Sequence, residues 1–327
     1  MIPGVASLHR VDQQRRTIVP EEYRRMYELE YPSPEVSSEG AEGPTLIVAL
    51  HGYADAGQAV SASADHLMAA LENRLVASFN TDELIDYRSR RPTVTMENHE
   101  VTKIEKLSLD MRVLRDIQGR HFLLLSGPEP DLRWDAFTQA VAGLVRKYNV
   151  AKVICLYSAP MTVPHTRPLV VSAHGNNAEL MQDLFRFDGS VVLPGSAALQ
   201  LESVLGEQRT AVAGFTAHVP HYVSSSPYPE ATLKLLRSVA HNAHLDLPLQ
   251  TLERDWERVS QQLTEQMEDS AEIQHVVGAL EQQYDEELEQ YRSRHPKAML
   301  PGEEDLPSGE EIGQEFERFL ADLDEED

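Results

Sequence analysis

Five consecutive apolar residues, Leu46 to Leu50, lead into a loop that contains two glycines, and a helix-like segment starts at Gln58. An uninterrupted apolar strand is typical of a sheet covered by helices on both faces, because a half-exposed strand alternates polar and apolar residues. Similar apolar runs alternate with helix-period segments along the chain as far as Pro248. The pattern therefore predicts an α/β fold built in layers.

The elements of this fold are predicted from hydrophobic periodicity. The predicted strands are Thr45 to Leu50, Leu75 to Phe79, His121 to Leu125, Val150 to Leu156 and Thr210 to Phe215. The predicted helices are Gln58 to Glu72, Trp134 to Tyr148, Asn177 to Phe185 and Pro229 to Ala243. A further run, Leu107 to Leu114, is placed to pair with His121 to Leu125 through a turn near Gly119.

Acidic residues far outnumber basic ones, 53 against 29, which gives a formal net charge of -24. The field of such a surface repels phosphates and anionic lipid headgroups, so we expect neither nucleic acid nor a membrane as partner. No run approaches the roughly 18 consecutive apolar residues of a membrane span. The single cysteine, Cys155, lies in an apolar run and excludes a disulfide within one chain. We expect a cytoplasmic protein.

Composition divides the chain into four parts. They are an N-terminal extension with a flexible linker at 1–44, an α/β core domain at 45–250, a helical pair at 251–295 and an acidic tail at 296–327. The linker from Pro32 to Pro44 holds too few apolar side chains to offset its ordering entropy. From Glu281 onward, 17 acidic residues face 4 basic ones, more than half of the net charge.

Two amphipathic helices are predicted after Pro248, with a break near Asp269 and Ser270, either of which can cap the second helix. A single long helix is the alternative, since the break holds neither Gly nor Pro. A last amphipathic helix is predicted in the tail, where Ser308 and Glu311 have capping-box spacing. Its apolar stripe, which docks either on its own core or on a partner, includes Ile312, Phe316, Phe319 and Leu320.

The glycine-containing loop after the first strand does not match a known catalytic motif. Its glycine spacing fits the first half of a P-loop, but Gln58 and Ala59 stand where Lys and Ser or Thr are needed. A serine hydrolase needs a G-x-S-x-G elbow, which the chain lacks. Asp55, close to a helix N-terminus, is expected to cap that helix rather than to catalyse a reaction.

Charged and histidine residues in the loops form the candidate ligand or interface cluster. Loops that follow strand ends in α/β sheets are where ligands bind. Arg167 is placed to pair with Glu129 or Asp55, and the histidines lack the spacing of a zinc site, so no metal and no cofactor is expected. The cluster consists of Gly52, Asp55, Gly57, Arg91, Glu129, Asp131, His165, Arg167, His218 and His221.

Six blocks, taken in order, resemble the proteasome assembly chaperone 2 family in its actinobacterial branch. They are Gly52–Gly57, Asp82–Tyr87 with Arg90–Pro92, Gly127–Asp131 ahead of Trp134, Pro164–Pro168, His218–Tyr222 and Leu280–Asp285. The resemblance runs from about Thr45 to the end of the chain. It implies a three-layer α/β/α sandwich similar to the phosphorylase/hydrolase-like fold. It also implies a homo-oligomer, with a trimer favoured, and proteasome subunits as partners.

Two functions are compatible with these observations. The first is a non-enzymatic, oligomeric chaperone that acts by protein–protein interaction, because no complete catalytic constellation is found. The second is an enzyme or small-molecule binder, nucleoside phosphorylase/hydrolase-like or ligase-like, whose site surrounds Asp55, Glu129, His165 and Arg167.

Overall fold

The computed structural model describes residues 26–36, 43–296 and 298–303. Ten strands form one large sheet and one hairpin within these ranges. The strands are β1 Tyr27–Leu29, β2 Thr45–His51, β3 Asn73–Phe79, β4 Val94–Glu97, β5 Glu100–Ile104, β6 Asp110–Arg115, β7 His121–Pro128, β8 Lys152–Met161, β9 Val171–Gly175 and β10 Ala211–Pro220.

The large sheet is mixed and has the strand order β1-β3-β6-β7-β2-β8-β10-β9. Its centre is parallel, because β2 pairs with β7 and β8, and β8 pairs with β10, in the same direction. Antiparallel strands extend it at both ends: β6, β3 and β1 on one side and β9 on the other. The carboxyl ends of the four parallel strands therefore meet along one edge of the sheet.

Seven α-helices lie within the described residues. They are α1 Ala59–Ala70, α2 Thr81–Leu84, α3 Trp134–Lys147, α4 Ala197–Glu207, α5 Pro229–Ala243, α6 Gln250–Glu268 and α7 Ala271–Arg294. On β2, Ile47 packs with α1 and α5, whereas Val48 packs with α3 and α4 in a second core cluster. Helices therefore cover both faces of the sheet, which confirms the α/β fold class and explains the uninterrupted apolar sequence of β2.

The predicted central strands and three of the four predicted core helices are confirmed. The antiparallel pairing of β6 with β7 is also confirmed, with Asp116 holding the turn by accepting hydrogen bonds from the backbone and side chain of Arg120. The prediction of a helix from Asn177 to Phe185 is wrong. Only a short 3-10 turn, Glu179–Met181, forms there, and Phe185 makes a bridge to Ser172 of β9.

The helical pair consists of α6 and α7, which are separate helices. Between them Ser270, one of the two capping candidates, accepts a hydrogen bond from the backbone N–H of Ile273 at 3.4 Å. Trp256 of α6 contacts Tyr228 edge to face at 5.5 Å, and α7 buries Val277, Leu280, Tyr284 and Tyr291. Both helices thus pack onto the α/β core through aromatic and aliphatic side chains.

Among the described residues, no helix combines the length and the apolar character needed to cross a membrane.

Candidate functional site

The loop after β2 uses its aspartate to hold the start of α1. Asp55 Oδ1 accepts the backbone N–H of Val60 at 2.7 Å, and Oδ2 accepts the hydroxyl of Ser61 at 2.7 Å. Burial raises the pKa of Asp55, and the hydrogen bonds from Ser61 and Val60 oppose that shift. The carboxylate is thus occupied by a helix N-terminus, where anions are favoured.

Gly57 lets the same loop lie directly against the segment before α5. Its backbone N–H donates to Ser224 O at 2.7 Å, and its carbonyl accepts the N–H of Tyr228 at 2.8 Å. Its φ is +66°, and a Cβ at this position would lie 2.8 Å from Tyr228 Cβ. Glycine is therefore required here by backbone conformation and by space.

A second group lies where β2 and β7 end. Glu129 is buried, and its Oε1 accepts the backbone N–H of Ala197, the first residue of α4, at 2.7 Å. Arg90 forms an ion pair with Asp131 at 3.3 Å and donates to His51 O at 3.3 Å. A Cβ on Gly52 would lie 2.9 Å from Glu129 Oε2. This group joins the strand ends to the N-terminus of α4.

Arg91 lines a groove to which the other predicted site residues do not contribute. Arg91 lies on an open groove of about 1020 Å³ beside β1 and β3, which also contacts the base of the β4–β5 hairpin. Its neighbour Arg90, which was not among the candidates, makes the contact with Asp131. Adjacent arginines in a loop point in different directions, and the sequence alone does not distinguish them.

His165 lies in the loop after β8 and is held by Tyr222. The Tyr222 hydroxyl accepts the backbone N–H of His165 at 2.8 Å and lies 2.7 Å from its Nδ1. Nε2 of His165 is buried and has no hydrogen-bond partner within the described residues, and burial lowers the pKa of the ring. Burial also raises the pKa of Tyr222 to about 12. The pair is therefore neutral near pH 7.

The sequence suggested that Arg167 pairs with Glu129 or Asp55. In the structure it pairs with the helix α7 instead. Its Nε and Nη2 donate to the two carboxylate oxygens of Asp285, and its Nη1 donates to Glu281 at 3.0 Å. Thr166 also donates to Glu281. The pair raises the pKa of Arg167 and lowers the pKa of Asp285. The loop after β8 thus anchors the helical pair.

The two histidines at the end of β10 have different environments. His218 is buried, lies 2.9 Å from the Ser172 hydroxyl through Nε2, and stacks on Phe187 with ring centroids 5.7 Å apart. Burial lowers its pKa to about 4, so its ring is neutral at physiological pH. His221 is exposed and contacts Met161 O at 3.3 Å. In the described part of the chain, no three His, Cys, Asp or Glu side chains are grouped to hold a metal ion.

The predicted docking helix of the tail, with Ile312, Phe316, Phe319 and Leu320, lies outside the described residues.

A buried carboxyl that the sequence did not single out lies at the start of α5. Glu230 Oε2 accepts the hydroxyl of Tyr228 at 2.6 Å, and its carboxyl also interacts with the backbone N–H of Leu169. Burial raises the pKa of Glu230 to about 7, against the lowering effect of these two donors and of Lys234. An acid after a helix-starting proline is usually exposed, so the sequence carries no sign of this burial.

Another buried network extends from β8 to the sheet edge. Tyr157 donates to Glu202 at 2.6 Å, and the same carboxylate binds His174 of β9 at 3.0 Å. The hydrogen bond to Glu202 raises the pKa of His174. Burial raises the pKa of the neighbouring Cys155 thiol, so this thiol is an unreactive core residue.

Taken together, the predicted site residues form contacts that hold the structure rather than one chemical centre. The carboxylates of Asp55 and Glu129 accept hydrogen bonds at helix N-termini, and Arg167 binds a neighbouring helix. A nucleophile needs an adjacent base and an oxyanion donor, an arrangement that these contacts do not provide. The strand-end loops are therefore suited to presenting a fixed surface.

Residues 49–267 match the profile of the PAC2 family. A comparison with curated proteins gives no match.

Solved structures give further similarity. A protein of unknown function from Corynebacterium glutamicum ATCC 13032 is 63% identical, with a TM-score of 0.80 over 82% of this chain and 100% of that one. A Mycobacterium tuberculosis protein of unknown function is 45% identical, with a TM-score of 0.79 over 83% of this chain and 92% of that one. A proteasome-assembly chaperone homologue from the same organism is 26% identical, with a TM-score of 0.66 over 71% of this chain and 99% of that one.

Proposed function

Because this chain belongs to the PAC2 family, we propose that it is a non-enzymatic, chaperone-like protein that acts by binding other proteins. The observation that carries the proposal is that the charged side chains of the loops bind other parts of the same chain. Arg167 binds Asp285 of α7, and the Asp55 and Glu129 carboxylates bind helix N-termini. These groups stabilise a rigid surface, whereas an active site needs groups that are available to a substrate.

Proteasome subunits are the proposed partners. Support comes from the Mycobacterium tuberculosis relative described as a proteasome-assembly chaperone homologue. Apolar side chains are also exposed on loops of the described surface, and Tyr53, in the loop after β2, is 73% exposed. Exposed aromatic side chains such as Tyr53 are common in protein-binding surfaces.

A native pull-down tests this partner class. The tagged full chain is captured from its own cell lysate, and co-eluting proteins are identified by mass spectrometry. We expect enrichment of proteasome α or β subunits, and loss of that enrichment in a Phe316→Asp, Phe319→Asp variant if the tail makes the contact. Recovery of the tagged protein alone would contradict the proposal.

Oligomerisation, with a trimer as the favoured state, is part of the proposal. The family resemblance and the packed helical pair motivate it. Light scattering of the purified chain tests it, because a single chain has a mass of 36.7 kDa. A measured mass of one chain at micromolar concentration would contradict oligomerisation. Binding of partners by the monomer would remain compatible with that result.

We also propose a specific fold type, domain boundaries and a cellular location for this chain. We assign the three-layer sandwich to the phosphorylase/hydrolase-like fold and the domain boundaries to 1–44, 45–250, 251–295 and 296–327. The packing of helices on both faces of the sheet supports the first assignment. Cytoplasmic location is compatible with a proteasome-related partner.

The alternative, a small-molecule site around Asp55, Glu129, His165 and Arg167, is separable by mutation. Under that alternative, Asp55→Ala with Arg167→Ala abolishes ligand binding and leaves the assembly intact. The contacts of these residues predict a different result, because Asp55 holds α1 and Arg167 holds α7. We expect a less stable protein.

A further inference from the structure

The last part of the chain combines an apolar stripe with a high negative charge. From 304 to 327 the sequence holds 11 acidic residues and one basic residue. The helix predicted over 308–323 has its stripe at Ile312, Phe316, Phe319 and Leu320. Glu311 and Glu315 each precede a stripe residue, so they flank the stripe on a helix. A surface that covers this stripe therefore needs apolar side chains next to basic ones.

The chain leaves the described structure beside the end of α7. Gly302 lies against the loop after β8, because a Cβ added to it would lie 2.7 Å from Pro168 Cγ. Glu303, the last described residue, forms an ion pair with Arg292 of α7 and accepts the backbone N–H of Leu300 at 2.9 Å. The acidic tail thus begins on a basic side chain of α7.

A groove of about 760 Å³ lies at the same end of α7. One side is the segment 178–186 after β9, and the other is the last turn of α7 with the residues that follow it. The apolar side chains that line it are Met181, Leu184, Tyr291 and Met299. The Tyr291 hydroxyl accepts the backbone N–H of Arg186 at 3.2 Å and so joins the two sides. Met299 is 39% exposed, and Phe187, which follows the first side, is 56% exposed. The groove is therefore a preformed surface with uncovered apolar side chains.

Cations are concentrated around Asp188 at this groove. Arg294 donates to the Asp188 carboxylate at 2.7 Å, and His295 Nε2 lies 3.1 Å from the same oxygen. The hydrogen bond from His295 lowers the pKa of Asp188, and the charges of Arg294 and Arg186 act in the same direction. The acids that line the groove, Glu179 and Asp183, both belong to the segment 178–186. The α7 side is therefore the basic side of the groove, on a chain whose net charge is -24.

The tail is long enough to reach the groove from Glu303. Its partner Arg292 lies two residues before Arg294, so the chain leaves the described structure within one helical turn of the groove. Residues 304–307 span up to about 14 Å when extended. A helix over 308–323 is about 24 Å long. Both lengths fit a tail that folds back on the end of α7.

We propose that the tail folds back into the groove of its own chain, with Phe316 and Phe319 inside it and acidic residues of the tail beside Arg294. The contact removes two apolar surfaces from water. A partner that binds the stripe must first displace it, so the groove controls when the stripe is available. This inference goes beyond the proposed function and does not depend on any client protein. A pull-down of proteasome subunits therefore supports the proposed function whether or not the tail occupies the groove.

The tail of the same chain is favoured over other occupants by its position. A short flexible connection gives an effective concentration on the order of millimolar. The tail of a second copy has the same chemistry but lacks this advantage. A segment of another protein would have to compete with a tail that begins next to the groove.

A disulfide within the full chain tests where the tail lies. Gln182→Cys, at an exposed position on the groove, is combined with Gly313→Cys, which leaves the stripe and the acids of the tail intact. The matched control combines Gly313→Cys with Tyr53→Cys, because Tyr53 is 73% exposed and lies at the same edge of the sheet as Pro168, where the tail starts. The native Cys155 is buried and does not interfere.

The linked products are identified on denaturing gels and by mass spectrometry of the linked peptides, with diamide as oxidant. We expect at least tenfold more link within one chain for the groove pair than for the control pair after the same time. Equal linkage in the two pairs would overturn the proposal. Linkage only between chains would assign the groove to the tail of a second copy and would also overturn it.

Hydrogen exchange tests whether the tail is held. We expect the amides of 308–323 to exchange at least fivefold faster in Met299→Asp and in Arg294→Glu than in the wild type, because the first change places a charge in the groove and the second reverses its basic side. Ile117→Asp and Arg258→Glu, at exposed positions elsewhere, are the matched controls. Circular dichroism confirms folding of each variant. Equal exchange of the tail in the wild type and in both groove variants would contradict the proposal, as would protection that appears only when the protein concentration is raised.

Discussion

Arg167 donates two hydrogen bonds of 2.9 Å to Asp285, one from Nε to Oδ1 and one from Nη2 to Oδ2. This two-point contact connects the loop after β8 to the last described helix, 118 residues further along the chain. Tyr284 strengthens the same connection, because its hydroxyl donates to Pro168 O at 2.6 Å. The position of α7 on the core is therefore set by a loop at the carboxyl ends of the parallel strands.

Replacing Arg167 by Ala should loosen α7 without unfolding the sheet. The ion pair is partly exposed, so we expect the free energy of unfolding to fall by about 1 kcal/mol or less. Amide hydrogen exchange in 271–294 should increase severalfold, while exchange in β2 and β8 stays unchanged. Arg167→Lys should give an intermediate effect, since lysine cannot form the two-point contact. Arg258→Ala, which removes an exposed pair with Asp255, is the control. Equal changes in both variants would contradict this role.

Glu230 should make the protein less stable as the pH rises. Its folded pKa, about 7, lies above the ordinary value of 4.5, so the folded state holds the proton more tightly. The resulting stability is fully present below about pH 4.5 and is lost as the pH rises through about 7. The difference between these values corresponds to about 3 kcal/mol. Urea unfolding of wild type and Glu230→Gln between pH 5 and 8 measures it. The wild type should weaken relative to the variant with rising pH, and parallel curves would contradict the prediction.

His218 should act in the opposite direction. Its folded pKa, about 4, lies below the ordinary 6.5, so the folded state disfavours the proton. The stability that depends on the neutral ring is present above about pH 6.5 and is lost as the pH falls toward 4. A His218→Gln variant should lose less stability than wild type between pH 6.5 and 4.5 in the same unfolding series. Only the pH dependence is compared, since the substitution also removes the stacking on Phe187. An identical acid slope in both proteins would contradict the prediction.

The sequence predicted the core elements because their patterns are local. The apolar run of β2 and the 3.6-residue period of α5 each indicate from sequence alone which side chains are buried. The structure has α5 at the predicted bounds, Pro229–Ala243. The strand β9 and the helix α4 were missed. β9 is short and lies at the edge of the sheet next to β10, and α4 combines small and polar residues in a weak stripe. The false helix at Asn177 shows that a 3.6 period in a short segment can be overruled by an edge strand.

The site could be predicted only as a set of loops. Sequence spacing identified Asp55 as a helix cap, and the structure has this contact. The partner of Arg167 lies 118 residues away on another helix, which no local pattern encodes. The burial of Glu230 and the exposure of Val192 are likewise products of chain topology. Arg167 and Glu129, two of the charges that suggested a ligand site in the sequence, instead contact residues far away along the chain.

Gly57→Ala should destabilise the protein more than the same substitution at Gly119. Both glycines have positive φ, +66° and +84°, so both variants bear the backbone cost of alanine in this region. At Gly57 the new Cβ also meets Tyr228 Cβ at 2.8 Å, whereas at Gly119 no other part of the described chain lies within 4 Å of the new Cβ. We expect a loss of about 1 kcal/mol for Gly119→Ala and at least about twice that for Gly57→Ala, measured by urea unfolding at one pH. Because Gly57 joins the first loop to the segment before α5, its variant should also increase hydrogen exchange at the start of α5. Equal losses in the two variants would mean that the loop moves away from Tyr228 at no cost.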